Sequence, residues 1–307
     1  MFEDIELQLD SHGYSCLRYI NKGAFGSCYL VFSQKYNCNF VCKVVSGLCV
    51  DESFLENYQR EVEALSHLNH PNIIKIYEVF STENYLFMIL EYCSGGNLLE
   101  VILTGKRVPI KTVTKYFTEI SDALCYMHEQ RIAHCDIKLS NILIDSFGRA
   151  KLCDFGLAQI IKNANRINST KMRGTLSYMS PEIMAGKGYD PFKADVWSLG
   201  VTFYSLATGH LPFAGKNPES ILKEIKLGYE TISIVDLGFR DIITSCMTFD
   251  PNERPTMRQI KFRCIEAFRE TSSLKPKSIT VFFGKKNTQS VVNGRTRLNR
   301  MPSLPKL

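Results

Sequence analysis

The feature that most restricts this chain is a pair of aspartates eighteen residues apart, Asp136 in HCDIKLSN (134–141) and Asp154 in CDFG (153–156). Between them, NILIDSFGRAKL (141–152) has the make-up of two short strands around a Phe-Gly turn. A hairpin there brings the two carboxylates close together, with Lys138 and Asn141 on the approach to it. Two acids and an amide form an oxygen-ligand site for a hard cation, and magnesium with a phosphate is its natural occupant.

The chain up to the SGGN turn (94–97) reads mainly as strands with one helix, and the chain beyond it mainly as helices. Strands are expected over 14–21, 27–32 and 40–45, with Gly23 and Gly26 in the turn NKGAFGSC (21–28). Glycines in such a turn let backbone amides approach a phosphate, although an ordinary hairpin would look the same. Lys43 lies in an apolar strand and needs a partner, unless that strand is a solvated edge. The following helix, with Phe54, Leu55, Tyr58, Val62, Leu65 and Leu68 on one face, offers Glu61. HPN (70–72) stops that helix, and IIKIYEVF (73–80) and YLFMILEY (85–92) complete a five-stranded sheet. After SGGN (94–97), Val113, Phe117, Ile120, Leu124 and Met127 mark an amphipathic helix over 111–130. DVWSLGVTFYSLA (195–207) is apolar nearly all round and so belongs at the centre of a lobe. Further helices are expected near 217–226, 237–247 and 256–270.

Composition removes several classes of protein. The chain is 307 residues long and 45% hydrophobic, enough to build a sizeable core, yet no apolar run approaches the length of a membrane span. The start, MFEDIELQLD, lacks the basic-then-apolar pattern of a signal peptide. Eleven cysteines without a CxxC pair point to reduced thiols, hence to the cytoplasm or nucleus, and not to a zinc site. The net charge of +6 resides in the tail: residues 271–307 hold eight bases and no acid, leaving 29 bases against 31 acids elsewhere. No nucleic-acid-binding face is therefore expected on the folded part. The tail reads as disordered, and its role stays open between a pseudosubstrate, a docking arm for an acidic partner or membrane surface, and plain solvated chain. Nothing indicates an oligomer.

Taken together, GAFG (23–26), FVCK (40–43), Glu61, HCDIKLSN, DFG, SPE (180–182), Asp195 and Arg254 resemble the signatures of a eukaryotic protein kinase, in the family's order. The resemblance covers about residues 14–270. It implies an α+β, two-lobed protein-kinase fold: an N-terminal extension (1–13), a small β lobe with one helix (14–92), a mainly helical lobe (93–270) and the tail. By the same resemblance, Lys43, oriented by Glu61, holds the α- and β-phosphates of ATP. Asp154 and Asn141 hold the two magnesium ions that such enzymes use, Asp136 accepts the proton of the incoming hydroxyl, and Lys138 steadies the γ-phosphate. The nucleotide is expected beneath Asn21, Gly23, Ala24, Phe25 and Gly26. Ile20, Cys28 and Val41 would lie above the adenine and Leu143 below it, with Leu90 as gatekeeper and backbone groups of Glu91 and Cys93 on the base edge. Leu65, Ile76, His134 and Phe155 match the apolar stack that joins the lobes. Glu182 is expected to pair with Arg254, and Asp195 to tether the catalytic loop.

Lys138 and Gly174-Thr175 resemble the Ser/Thr type, with a protein substrate. GTLSYMSPE (174–182) and GHLPFAG (209–215) look like the calcium/calmodulin-dependent and AMP-activated group. Departures are equally informative. Asn21 replaces the first glycine, and Val41 replaces the usual alanine above the base. Cys135 stands where many relatives carry the arginine that pairs with a phosphate on the activation segment, and a thiol cannot make that contact. Lys171 stands in the matching register where Ser or Thr is usual, with Ser169 and Thr170 just before it. Both departures remove the usual phosphate switch, the alternative being that Thr170, one position early, is phosphorylated and matters. Asn97, Ser140 and Ser205 occupy the places where arginine-selecting relatives carry acids, so upstream arginine should matter little. Cys28, Cys42, Cys93 and Cys153 surround the cleft, with Cys28 and Cys153 facing it; small buried hydrophobes are the first reading, and a redox role would need an acidified thiol. A nucleotide-binding pseudokinase scaffold is the alternative function.

Overall fold

A computed structural model of the protein describes residues 2–23, 26–46, 52–105, 108–161, 172–186, 188–230 and 237–273. The first lobe is a five-stranded antiparallel sheet of β1 (Tyr14–Gly23), β2 (Gly26–Ser33), β3 (Cys38–Ser46), β4 (Ile76–Ser81) and β5 (Tyr85–Glu91), in the order β1-β2-β3-β5-β4. Side chains on a strand alternate between faces. On β3 this sends Phe40, Cys42 and Val44 to one face, and Val41, Lys43 and Val45 to the other.

The first of these faces is covered by α1 (Phe2–Ser11). Ile5 and Leu9 are buried against Tyr14, Val31, Phe40, Cys42, Val44, Phe87 and Ile89, forming a core separate from that of the rest of the protein. Within the stretch expected as an N-terminal extension, α1 thus packs onto the sheet of this lobe. The opposite face receives α2 (Glu52–His67), whose Tyr58 hydroxyl donates to the Phe87 carbonyl at 3.0 Å.

The second lobe contains α3 (Leu98–Leu103), α4 (Ile110–Glu129), α5 (Pro181–Met184), α6 (Pro191–Thr208), α7 (Pro218–Leu227), α8 (Leu237–Cys246) and α9 (Met257–Ser273). Two small sheets lie toward the first lobe: β6 (Ile132–Ala133) with β9 (Gln159–Ile160), and β7 (Ile142–Ile144) with β8 (Ala150–Leu152). The apolar α6 is the lobe's axis. Asp190 caps it through the Phe192 amide at 2.8 Å, and Gly209, at φ +77°, ends it in the left-handed region that glycine adopts without strain. Phe203 of α6 stacks on Phe117 of α4, and Phe117 in turn on Phe239 of α8.

Four local expectations change. The fourth strand begins at Ile76 instead of 73, because Ile74 donates its amide to the Leu152 carbonyl at 2.9 Å and joins β8. α3, a helix beyond those expected, follows SGGN directly and is started by a reciprocal Asn97–Glu100 capping box. β6 and β9 were not anticipated. α9 continues past 270 to Ser273, whereas the disorder expected for the tail concerns, from 274 onward, residues outside those described. Among the described residues, no helix is long and apolar enough to cross a membrane.

Candidate active site

The register of the sheet and the two small hairpins deliver the site's side chains. β3 pairs with β2 and β5 so that Lys43 lies opposite Cys28 and Met88, and Val41 opposite Leu90. Lys43 Nζ is 2.5 Å from Glu61 Oε2 and 3.8 Å from Asp154 Oδ1. Burial works against a charged Lys43, but the carboxylates of Glu61 and Asp154 outweigh it and hold the lysine above its ordinary pKa, as an ammonium.

On the other side, a loop runs from β6 through a 3₁₀ turn (Leu139–Asn141) into β7. Asp195 of α6 fixes its start: one carboxylate oxygen accepts the His134 amide at 2.8 Å and the other the Cys135 amide at 2.8 Å. His128 Nε2 lies 3.0 Å from the same carboxylate. Further along the loop, Asp136 is satisfied by convergent donors. Its Oδ2 receives Lys138 Nζ at 2.6 Å and Asn141 Nδ2 at 3.1 Å, and its Oδ1 receives the Thr175 amide at 3.0 Å and the Thr175 hydroxyl at 2.8 Å. Burial alone would raise the Asp136 pKa; Lys138 and the Thr175 hydroxyl reverse that and hold it below the usual carboxylate range. Asp136 is thus an ionised acceptor at neutral pH. Thr175 can approach because Gly174 has no side chain: a Cβ there would sit 2.6 Å from the Cys135 carbonyl oxygen, on a backbone with φ +98°.

The β7–β8 hairpin forms as expected. Ile142 pairs with Leu152, and the Cys153 amide donates to the Asn141 carbonyl at 2.9 Å, which places Asn141 beside the approach to Asp154. Asp154 has φ +66°, an uncommon conformation for a non-glycine residue, and its buried Oδ1 accepts no hydrogen bond. With Lys43 Nζ at 3.8 Å, beyond hydrogen-bond reach, this buried carboxylate oxygen can accept a further cation. Among the described residues, no three His, Cys, Asp or Glu side chains form a closed metal cage. A sparse set of one carboxylate and one amide fits magnesium, which takes most of its ligands from water and substrate phosphate. Phe155, fully buried, lies against the His134 ring at 4.9 Å between centroids, and belongs to the same apolar core as Leu65, with Ile76 packed against that core.

The other expected residues that are described lie on the strands and the segment near Lys43 and β7. Ile20, Asn21 and Gly23 end β1, with Gly26 and Cys28 at the start of β2; Asn21 pairs with Cys28. Gly26 is required where it stands, since a Cβ would lie 2.6 Å from the Val44 carbonyl oxygen. Ala24 and Phe25 lie outside the described residues. Leu143 is on β7, and Cys93 is buried in the segment that joins β5 to α3. The thiols are not acidified. Burial pushes Cys28 up to about 11 against the pull of Lys43, takes Cys93 up to about 12, and raises Cys42 and Cys153 as well.

At Cys135, in left-handed conformation at φ +65°, the thiol receives a hydrogen bond from Gln159 Nε2 of β9 at 3.4 Å. Burial and then the nearby Asp195 keep it well above an ordinary thiol pKa, against the pull of Arg173. Gln159 carried no signal in the sequence, being a polar residue in a two-residue strand. Lys171, Ser169 and Thr170 lie outside the described residues. Asn97 is used as a helix cap, Ser205 is buried and bonded to the Val201 carbonyl, and Ser140 Oγ is 3.5 Å from Asn141 Oδ1.

A glycine turn over a Lys–Glu pair, facing an aspartate loop tethered from a central helix, defines the class of protein kinase domains. Residues 14–263 match the family model for the protein kinase domain, and this chain belongs to that family. It is 32% identical over 249 residues to the "Probable serine/threonine-protein kinase MARK-A" of Dictyostelium discoideum, covering 80% of this chain and 23% of that protein. It is 35% identical over 246 residues to the Aurora/IPL1-related protein kinase 2 of Caenorhabditis elegans, covering 80% of this chain and 79% of that one. The chain spans less than a third of the length of three of the curated relatives it matches.

Proposed function

We propose that this protein transfers the γ-phosphate of ATP to serine or threonine hydroxyls of protein substrates. The observation that carries this reading is the Asp136 carboxylate, ionised and gripped by Lys138, Asn141 and Thr175, in the same cleft as the formed Lys43–Glu61 pair. Phosphoryl transfer asks mainly for positioning and charge neutralisation. Lys43 neutralises the α- and β-phosphates. Asp136 accepts the proton of the incoming hydroxyl as its oxygen bonds to the γ-phosphorus and the bond to ADP breaks, while Lys138 offsets charge on the transferred group. Asp154 and Asn141 would hold magnesium, which when bound neutralises charge on the phosphates. The scaffold alternative is disfavoured because Lys43, Asp136 and Asp154, the groups such proteins usually lack, are present.

Catalysis without activation-segment phosphorylation is the finer part of the proposal. A neutral Gln159–Cys135 contact takes the place where an arginine would hold a phosphate. Incubation of the purified protein with magnesium-ATP and a generic protein acceptor tests both parts. Incorporation by the wild type and by the Ser169→Ala/Thr170→Ala variant, with none by Asp136→Asn or Asp154→Asn, is the expected result. A silent wild type would refute the enzyme reading, and a silent double-alanine variant the phosphate-independent one.

A further inference from the structure

The residue that begins the link between the lobes is held by a buried cation outside the motifs above. Glu91 ends β5, next to Leu90, and its backbone is one of the groups expected at the adenine edge. Lys151, at the centre of β8, is almost wholly enclosed: its side chain is 6% exposed, and that of Glu91 is 20% exposed. Lys151 Nζ lies 2.8 Å from Glu91 Oε1 and donates to the Pro71 carbonyl at 2.9 Å. The other Glu91 oxygen accepts the Lys75 amide at 3.3 Å, and the Glu91 amide donates to the Lys75 carbonyl at 2.9 Å.

Segment 71–75 is in turn stitched to β8. The Leu152 amide donates to the Asn72 carbonyl at 2.8 Å, the Ile74 amide to the Leu152 carbonyl at 2.9 Å, and Asn72 Nδ2 to the Ala150 carbonyl at 2.8 Å. One ammonium therefore joins three pieces of chain: the start of the inter-lobe link, the loop after α2, and the strand that leads to Asp154. Burying such a charge is costly, and it is tolerated only because both acceptors are fixed.

We infer that Lys151 is a positioning residue for the nucleotide: through Glu91 it fixes the backbone that reads the adenine edge, without touching the nucleotide itself. This rests on the kinase reading above. It separates from a general structural role because the effect should follow the base and not the phosphates. Lys151 also adjoins the strand entering Asp154, so a disturbance routed that way would instead weaken only ligands with metal-bound phosphates.

The test uses the full chain and compares the binding of adenosine, which has the base alone, with that of magnesium-ATP, alongside steady-state kinetics. Lys151→Met should weaken adenosine and magnesium-ATP alike, by about tenfold, with KM for ATP raised in step and kcat held within about twofold. Lys151→Arg should recover most of the loss, because a guanidinium can still serve both acceptors. Wild-type adenosine affinity in a folded Lys151→Met protein overturns the inference, as does a loss confined to magnesium-ATP. If Lys151→Met does not fold, Glu91→Gln decides: it keeps the shape and the backbone while removing the ion pair, and an unchanged adenosine affinity there overturns the inference equally. A wild type that binds neither ligand refutes the kinase reading instead.

Discussion

At the scale of single residues, the site is a balance of burial against partners, and Asp136 shows it most directly. Its depressed pKa means that the native fold favours the carboxylate, so function is retained above that pKa and lost as pH falls through it. Thr175→Ala removes a hydroxyl that donates to Asp136 and accepts from Lys138. The Asp136 pKa should then climb back toward the ordinary range. The acid limb of the kcat/KM profile is expected to move to higher pH, with the plateau about tenfold lower, the worth of one hydrogen bond to a charged group. A pH–rate profile whose acid limb stays in place would contradict this account. The side chains of Lys43, Glu61, Asp136, Lys138, Asn141 and Asp154 could be picked out from the sequence because each is of the type the chemistry needs, set among apolar neighbours. Gln159 and Lys151 could not. Their partners, Cys135 and Glu91, are set by strand pairing and loop packing, and no local pattern marks either pair.

At the scale of elements, α1 illustrates what periodicity misses. Ten residues are too few to form a stable helix alone, and among its described side chains Ile5 and Leu9, four apart, mark the buried apolar face. The helix persists because the sheet needs cover for Val31, Phe40, Val44, Phe87 and Ile89. Leu9→Ala should therefore destabilise the protein by about 2–5 kcal/mol, as for other fully buried leucines. Leu7→Ala, at a position 66% exposed on the same helix, should change stability by about 0.5 kcal/mol or less. Paired urea denaturation curves would check both; equal effects at the two positions would mean that α1 does not pack as described. The buried α6, by contrast, was plain in the sequence, since a helix apolar all round has nowhere to go but a core. IIKIYEVF misled at its start because Ile73 and Ile74 have strand composition but bond to β8 instead of continuing β4.

At the scale of the whole molecule, two buried charges set the second lobe around the site. Asp195 tethers the catalytic loop, and Arg254 binds Glu182 through both nitrogens, at 2.7 and 2.8 Å, while also donating to the carbonyls of Thr248, Lys193 and Phe249. Its guanidinium lies over the Trp197 ring at 5.0 Å. An ammonium cannot reproduce five directed donors, so Arg254→Lys should cost about 3 kcal/mol or more and lower the thermal midpoint by several degrees. A midpoint equal to that of the wild type would show that the pair contributes little. The sequence by itself determined the order of sheet and helices, the central helix, and which polar groups are candidates for a phosphate site, because these depend on periodicity and on side-chain chemistry. Only the tertiary structure decided that α1 caps the sheet, that Gln159 meets Cys135 and that Lys151 grips Glu91. Those contacts join residues distant in the chain, and which partners meet is fixed by how strands register and lobes pack.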